Sequence, residues 1–300
     1  MRTNFAPATY AVRSESPLSE REMRRAAPSI FAQGKHGSRS DRYAYVPTIE
    51  VLRELGRAGF DPFMVAQNQS RTASKAEFTK HLIRMRHASR NAGGDEVDEV
   101  ILINSHDGAS PYQMLAGVFR FACHNGLVVG TADHGVRIVH KGSILSDVIE
   151  SAFQVLKVFD AVDESISGMK ATTLDVDEQL VFARAAIYFR YGERTPWNPP
   201  APVTPETLLE PRRPEDVGPN LWSTFQRVQE NLVRGGQCGC RANGRRMQTR
   251  GVGSIDRSVE LNRRLWVLAE TTSIVHISSP AISEFANGNV RIGDPDRNPP

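Results

Sequence analysis

Apolar positions recur along this chain at two spacings, one helical and one strand-like. After Pro47, the residues Ile49, Leu52 and Leu55 fall three apart, Thr48 stands where a cap belongs, and Gly59 follows, which predicts a short helix. Three strand-like runs come next: Pro62–Gln69, Phe78–His87 and Val97–Asn104. The last ends at a turn built from Asp107, Gly108, Ser110 and Pro111. Read as a strand, the second run places Lys80, Leu82, Arg84 and Arg86 on one face and His81, Ile83, Met85 and His87 on the other. Phe78, Leu82 and Met85 also have helical spacing, but the neighbouring runs are strand-like and the turns between them short. Tyr112–Gly130 is apolar, and its second half reads as two strands joined at His124-Asn125-Gly126, because Asn-Gly tolerates the positive φ of a tight hairpin. Val136–His140 reads as a further strand.

Helical spacing then returns. Ile144–Asp163 predicts one long helix with Leu145, Val148, Ile149, Ala152, Leu156 and Phe159 on its buried face. Thr173–Tyr191 predicts another, with Val176, Leu180, Ala183 and Ile187 inward and Gly192 at its end. Eight prolines between Thr195 and Pro219 leave room for neither a long helix nor a central strand, so this stretch is expected to be an extended connector. Beyond it, Leu221, Phe225, Val228 and Leu232 form a helical stripe that Asn220 can cap and Gly235 can end. Leu261, Leu265 and Leu268, with Trp266 close by, form another. These two helices have too few apolar residues for a core of their own, so they are expected to pack on the preceding body.

Sequential strands followed by helices predict an α+β fold: an antiparallel sheet of several strands packed by helices, with a C-terminal helix–loop–helix joined by a Pro-rich connector. The expected divisions are a flexible basic arm over 1–40, an α+β core over 41–192, the connector over 193–219, the helix–loop–helix over 220–278 and a disordered tail over 279–300.

The 300 residues are 40% hydrophobic and 24% charged, ordinary values for a soluble globular chain, and the formal net charge of +3 identifies no partner. The distribution of charge is more informative. Between Glu230 and Asp256 there is no acidic residue, and the interval holds Arg234, Arg241, Arg245, Arg246 and Arg250 among six glycines. Such a segment is a solvated loop or a surface that meets an anion, since glycines let backbone N–H groups approach phosphates. The candidate nucleic-acid-binding residues are therefore Lys80, Arg84 and Arg86 on the strand, and Arg234, Arg241, Arg245, Arg246 and Arg250 at the loop, as two walls of one groove. Tyr112, Phe119 and Phe121 are either core residues or stacking platforms for bases.

Three cysteines, an odd number, and no apolar h-region at the N-terminus point to a reducing compartment, taken as the cytoplasm, and no run is long enough to span a membrane. No P-loop, nucleophile elbow, HExxH or EF-hand loop occurs, so no catalytic residue, metal or cofactor is assigned. Cys238-Gly239-Cys240 offers two metal ligands without a partner pair, and Cys123-His124 is the other Cys/His neighbour. Ser105-His106-Asp107 reads as a polar strand-to-turn junction, or as part of a metal-dependent nuclease. Gln229, Glu230 and Asn231 read as a solvated, capped helix end or as functional groups.

Several segments together resemble a known family: Tyr45–Gly56, the HLIRMRH run, LINSHDGASPYQMLAGVFRFACHNGLVVG, VIESAFQVL, NLWSTFQRVQENLVRGG and DRSVELNRRLWVLAE. They are similar to the YafZ/YfjQ-type proteins, a phage/plasmid-like family of prophages and plasmids with no established activity. The resemblance spans roughly residues 40–272. Where relatives have Cys, Ser or Thr before Asn-Gly, this chain has His124, so the turn is kept. A mobile-element setting implies work on DNA, and the element order is similar to that of single-strand annealing proteins. The expected function is thus non-enzymatic nucleic-acid binding, single-stranded DNA favoured, in a possible homo-oligomer. The alternatives are a protein–protein interaction module, such as an inhibitor of a host defence system, marked by an apolar patch near Trp197, Trp222 or the connector, and a metal-dependent nuclease using His106 and Asp107.

Overall fold

A computed structural model describes residues 9–38, 45–70, 72–90, 95–121, 125–129, 136–138, 144–193 and 201–278. The expected tail from 279, Cys123, His124 and Trp197 lie outside them. The fold is α+β, as expected. Its sheet is an antiparallel meander in the order β1 (Thr9–Arg13), β2 (Phe60–Asn68), β3 (His81–His87), β4 (Glu96–Asn104), β5 (Tyr112–Arg120) and β6 (Asn125–Val128). The short β7 (Val136–Ile138) pairs with the first half of β5, and β6 pairs with its second half. The run Phe78–His87 is a strand only from His81. Residues 73–78 form a 3-10 turn instead.

Alternation along these strands produces two packed faces. Phe60, Val65, Ile83, Met85, Val100 and Leu102 point into the main core. Met64, Ala66, Leu82, Ile101, Ile103 and Leu115 form a smaller cluster on the opposite face. Both faces of β3 are therefore buried.

The segment expected to be a flexible arm is folded from Thr9 onward. β1 pairs with β2 along its whole length, Thr9 opposite Asn68 and Arg13 opposite Met64. Ser19 and Glu22 then form a capping box at the start of α1 (Glu20–Ala26), and Met23, Ala27, Ile30 and Phe31 join the main core. In α2 (Thr48–Arg57), Pro47 occupies the cap position and Thr48 is the first helical residue. The Thr48 hydroxyl turns inward to other partners.

The expected long helix is two, α3 (Ile144–Leu156) and α4 (Phe159–Ala171). The buried positions Val148, Ala152, Val155, Phe159, Val162, Ile166 and Met169 keep helical spacing across the break, so the sequence pattern does not mark it. α5 (Val176–Tyr191) starts at a capping box of Asp175 and Glu178. Val176, expected inward, is exposed, and the buried residues are Phe182, Ala183 and Ala186. Among its described residues, the Pro-rich stretch holds a short helix, α6 (Pro205–Leu209), with Pro205 in its first turn, and a 3-10 turn at Pro214–Asp216.

α7 (Leu221–Arg234) is capped by Asn220, whose side chain accepts from Ser223 N, and ended by Gly235 at φ +66°. α8 (Ile255–Ser278) begins on the second face of the sheet, where Ile255 and Val259 cover the smaller cluster. Its later residues Leu261, Leu265, Trp266 and Ala269 share the main core with Phe225 and Leu232 of α7. The C-terminal helices thus pack on the sheet's own core, as their sparse apolar stripes required. Trp266 is fully buried in that core, packed edge-on to Phe225. No helix among the described residues is long and apolar enough to cross a membrane.

Candidate nucleic-acid interface

The basic interval expected to be a loop is a two-stranded ribbon. β8 (Gly235–Cys240) leaves directly from the end of α7 and pairs with β9 (Arg246–Arg250), Cys238 opposite Gln248 and Cys240 opposite Arg246. The turn between them is closed by Arg241 N donating to Arg245 O and Gly244 N donating to Arg241 O, both at 2.9 Å. Gly244 adopts φ +77°, which favours glycine. One face of the ribbon docks: Thr249 is buried, and Cys240 N donates to Pro202 O at 3.1 Å. The other face presents Arg246, Gln248 and Arg250 with Cys238 and Cys240 to solvent, and Arg241 and Arg245 sit at the exposed tip. Among the described residues, no ion pair involves any of these four arginines. The result is an uncompensated basic ribbon on a rigid mount.

The strand cations lie elsewhere. Lys80 is buried and its Nζ sits 2.5 Å from Asp256 Oδ1 at the start of α8. Arg84 and Arg86 are buried around Glu99. Arg84 Nη1 donates to Glu99 Oε2 at 3.1 Å and to Leu127 O at 3.0 Å, and Arg86 Nη2 donates to Glu99 Oε1 at 3.2 Å. Arg13 Nη1 donates to the same Oε1 at 2.9 Å. Arg86 also stacks 4.2 Å above the Phe63 ring, and Arg13 3.8 Å above Phe119. Burial alone would raise the Glu99 carboxyl, but the pull of Arg13, Arg84 and Arg86 outweighs it and holds the group below its usual range. Burial pushes Arg84 down to about 10, against the attraction of Glu99, so it stays charged at neutral pH. This face of β3 is therefore not the solvent-facing wall that its alternation suggested, and the structure does not bring Arg84 and Arg86 onto one surface with the ribbon. Glu99 was the missed residue. Its signal was present, because it shares a strand face with Ile101 and Ile103, where a lone carboxylate needs a buried cation.

Arg234, the other expected contact, is half-buried and paired with Glu230. Tyr112 and Phe119 are core residues, while Phe121 is 37% exposed. Gln229, Glu230 and Asn231 are not a solvated face but fully interior. Gln229 donates to Asn262 Oδ1 at 2.7 Å, Glu230 accepts from Arg213 at 2.6 Å, and Asn231 donates to Leu208 O at 2.9 Å. They fasten the Pro-rich connector and α8 to α7. Trp222 is buried and donates to Glu96 Oε1 at 2.9 Å, so it marks no apolar patch.

His106 is buried with its Nε2 3.1 Å from Thr48 Oγ1, and the same hydroxyl lies 3.0 Å from His81 Nε2 and accepts from Asn104 Nδ2. Burial, and then the neighbouring His106, push His81 well below the usual histidine range, so it is neutral. Asp107 accepts from Ala109 N at 2.9 Å, an Asx turn. Among the described residues no group of three His, Cys, Asp or Glu side chains is placed to hold a metal ion. A separate cleft of about 290 Å³ is lined by Arg90, Asp98, Asp163 and Lys170 among others, and in it burial, with Asp163 nearby, raises Asp98 to about 7.

Comparison with known proteins bears out the resemblance read from the segments. A family described as "Domain of unknown function (DUF932)" matches residues 35–266. The chain is 46% identical over 263 residues to the UPF0380 protein YafZ of Escherichia coli (strain K12), covering 88% of this chain and 94% of that protein. It is also 46% identical over 264 residues to the UPF0380 protein YfjQ of the same organism, with the same coverage. No solved structure matches the chain significantly.

Proposed function

The chain belongs to the DUF932 family, whose function is unknown, and from that premise we propose that it binds nucleic acid through backbone phosphates contacted by the β8–β9 ribbon. One observation carries this reading: Arg241, Arg245, Arg246 and Arg250 are exposed on an anchored ribbon whose sequence holds no acidic residue. Arginine suits the role because its planar fork matches two phosphate oxygens at once. Docking against Pro202 fixes where the ribbon points, so less freedom is lost on binding. The ribbon has no aromatic side chain between Gly235 and Arg250, so the expected contacts are electrostatic and independent of sequence.

Single-stranded DNA is the ligand to test first, with a duplex of the same sequence beside it. Fluorescence anisotropy should show micromolar binding at low salt. Four phosphate contacts give a log–log salt slope of roughly −3 on a single strand. Arg245→Ala with Arg246→Ala should flatten that slope by about 1 to 1.5. No binding of either DNA at micromolar protein, or binding that ignores salt, sinks the reading.

A further inference from the structure

A second basic feature lies beside the ribbon, between α5 and α8. A cleft of about 210 Å³ is lined by Phe189, Arg190, Arg257, Glu260, Leu261 and Arg264. Three guanidinium groups there face one carboxylate. Arg190 is oriented from behind, its Nη2 donating to the carbonyl of Arg250, the last residue of β9, at 3.1 Å. Its Nε is buried with no hydrogen-bond partner. Arg257 and Arg264 stand two turns apart on α8, both exposed. Glu260 lies between them and accepts from Arg264 Nη2 at 2.6 Å, which leaves two of the three positive charges without a counter-ion in the lining.

We propose that this cleft seats one phosphate group. Arg190 supplies a charge held in place by its bond to backbone, and Arg257 and Arg264 reach across from α8. Phosphate fits the surplus of positive charge, and Phe189 and Leu261 give an apolar wall for the carbon attached to it. The hydrogen bond from Arg190 to Arg250 makes the cleft continuous with the base of the ribbon. Which phosphate it takes rests on the reading above: a phosphodiester or a terminal phosphate of a nucleic acid that follows the ribbon. Glu260 repels the same anion, so neutralising it should tighten binding.

The test uses inorganic pyrophosphate as a probe on the full chain. At low ionic strength, pyrophosphate should raise Tm above that seen with chloride at equal ionic strength. Arg257→Ala with Arg264→Ala should abolish the rise, and Glu260→Gln should enlarge it. Arg184→Ala, which removes an exposed charge of α5 outside the cleft, should keep it. No rise in the wild type, or an equal rise in the double variant, overturns the proposal. In parallel, the double variant should bind labelled single-stranded DNA about tenfold more weakly. Equal affinity for 5′-hydroxyl and 5′-phosphate oligonucleotides identifies an internal phosphodiester, and preference for the second identifies an end. If pyrophosphate binds while DNA does not, the nucleic-acid reading falls and the phosphate seat stands. If DNA binds while pyrophosphate does not, the reverse holds.

Discussion

Replacing Glu99 by Gln should destabilise this protein more than any surface change, because one carboxylate holds apart three arginines, of which Arg84 and Arg86 are buried and Arg13 is partly buried. Its Oε1 accepts from Arg13 Nη1 at 2.9 Å and from Arg86 Nε and Nη2 at 3.3 and 3.2 Å, while Oε2 accepts from Arg84 Nη1 at 3.1 Å. Glutamine keeps the shape, but it removes the charge and puts an NH2 where donors already converge. Breaking a buried ion pair this way costs about 3–5 kcal/mol. Arg84 keeps its two bonds to Leu127 O, and Arg86 keeps its stack on Phe63, which places the loss near the lower end, about 3 kcal/mol. That is a large part of a total stability of roughly 5–15 kcal/mol. With a urea m value of about 3 kcal/mol per molar, the midpoint should fall by about 1 M. Fluorescence of the buried Trp222 and Trp266 reports the transition. Adding Arg86→Met should recover part of the loss, since it removes one of the stranded charges. A midpoint shift below about 0.3 M, or a second substitution that only adds to the damage, would refute the claim that charge balance sets the effect.

Two further outcomes follow from the interior. His81 has its folded pKa depressed by burial and by His106, so the unfolded chain binds the proton first as pH falls through about 6.5. Its contribution is intact above that pH and lost below it. Asp98, raised to about 7, works in the opposite direction between its ordinary value and 7, because there the folded state holds the extra proton. In an Asp98→Asn background, urea stability should therefore drop from pH 6.5 toward 5 with a slope of up to about 1.4 kcal/mol per unit, and a flat profile would show that His81 titrates normally. Gly239→Ala puts a Cβ 1.6 Å from Pro202 O, so the ribbon must lift off the connector at about 1–3 kcal/mol. Hydrogen exchange should quicken across residues 236–250 and stay unchanged in β2–β5. Unaltered protection in the ribbon would contradict the docking.

Local rules made much of the fold legible, and they failed where two distant segments decide the outcome. The α7 cap at Asn220 and its end at Gly235 follow from residue chemistry alone. The strand alternation of His81–His87 was also correct, including which side chains share a face. What alternation does not give is whether a face is wet. Covering this one took β1 from the N-terminal segment, Glu99 from β4 and the start of α8, none of them local. The folding of the N-terminal segment did have a local sign, Ser19 with Glu22 three residues on, ahead of Met23. The break between α3 and α4 had none, because the apolar stripe runs straight through it. Arg257, Glu260 and Arg264 form a polar stripe at i, i+3 and i+7 on α8, which shows a solvent face but not that Arg190 stands opposite.

The two groups of arginines show how a cation's role depends on its partner more than on its position in a strand. Arg84 and Arg246 both lie on strands at alternating positions, and composition cannot separate them. Arg84 faces a carboxylate whose pairing is set by register, with Arg84 opposite Ile101 and Met85 opposite Val100, which brings Glu99 beside Arg86. Once Glu99 is buried, an exit of Arg84 or Arg86 to meet a ligand would leave that carboxylate without its counter-charge, at a penalty of several kcal/mol. Those arginines are therefore committed to the fold, whatever the ligand. Arg246 faces Cys240 across a ribbon with no acid in its sequence, so turning toward an external anion breaks no internal pair. Desolvating an exposed guanidinium against a phosphate also forfeits less than extracting a buried one from its carboxylate. On this energetic ground the ribbon, and not the sheet face, is where an anionic partner should be sought.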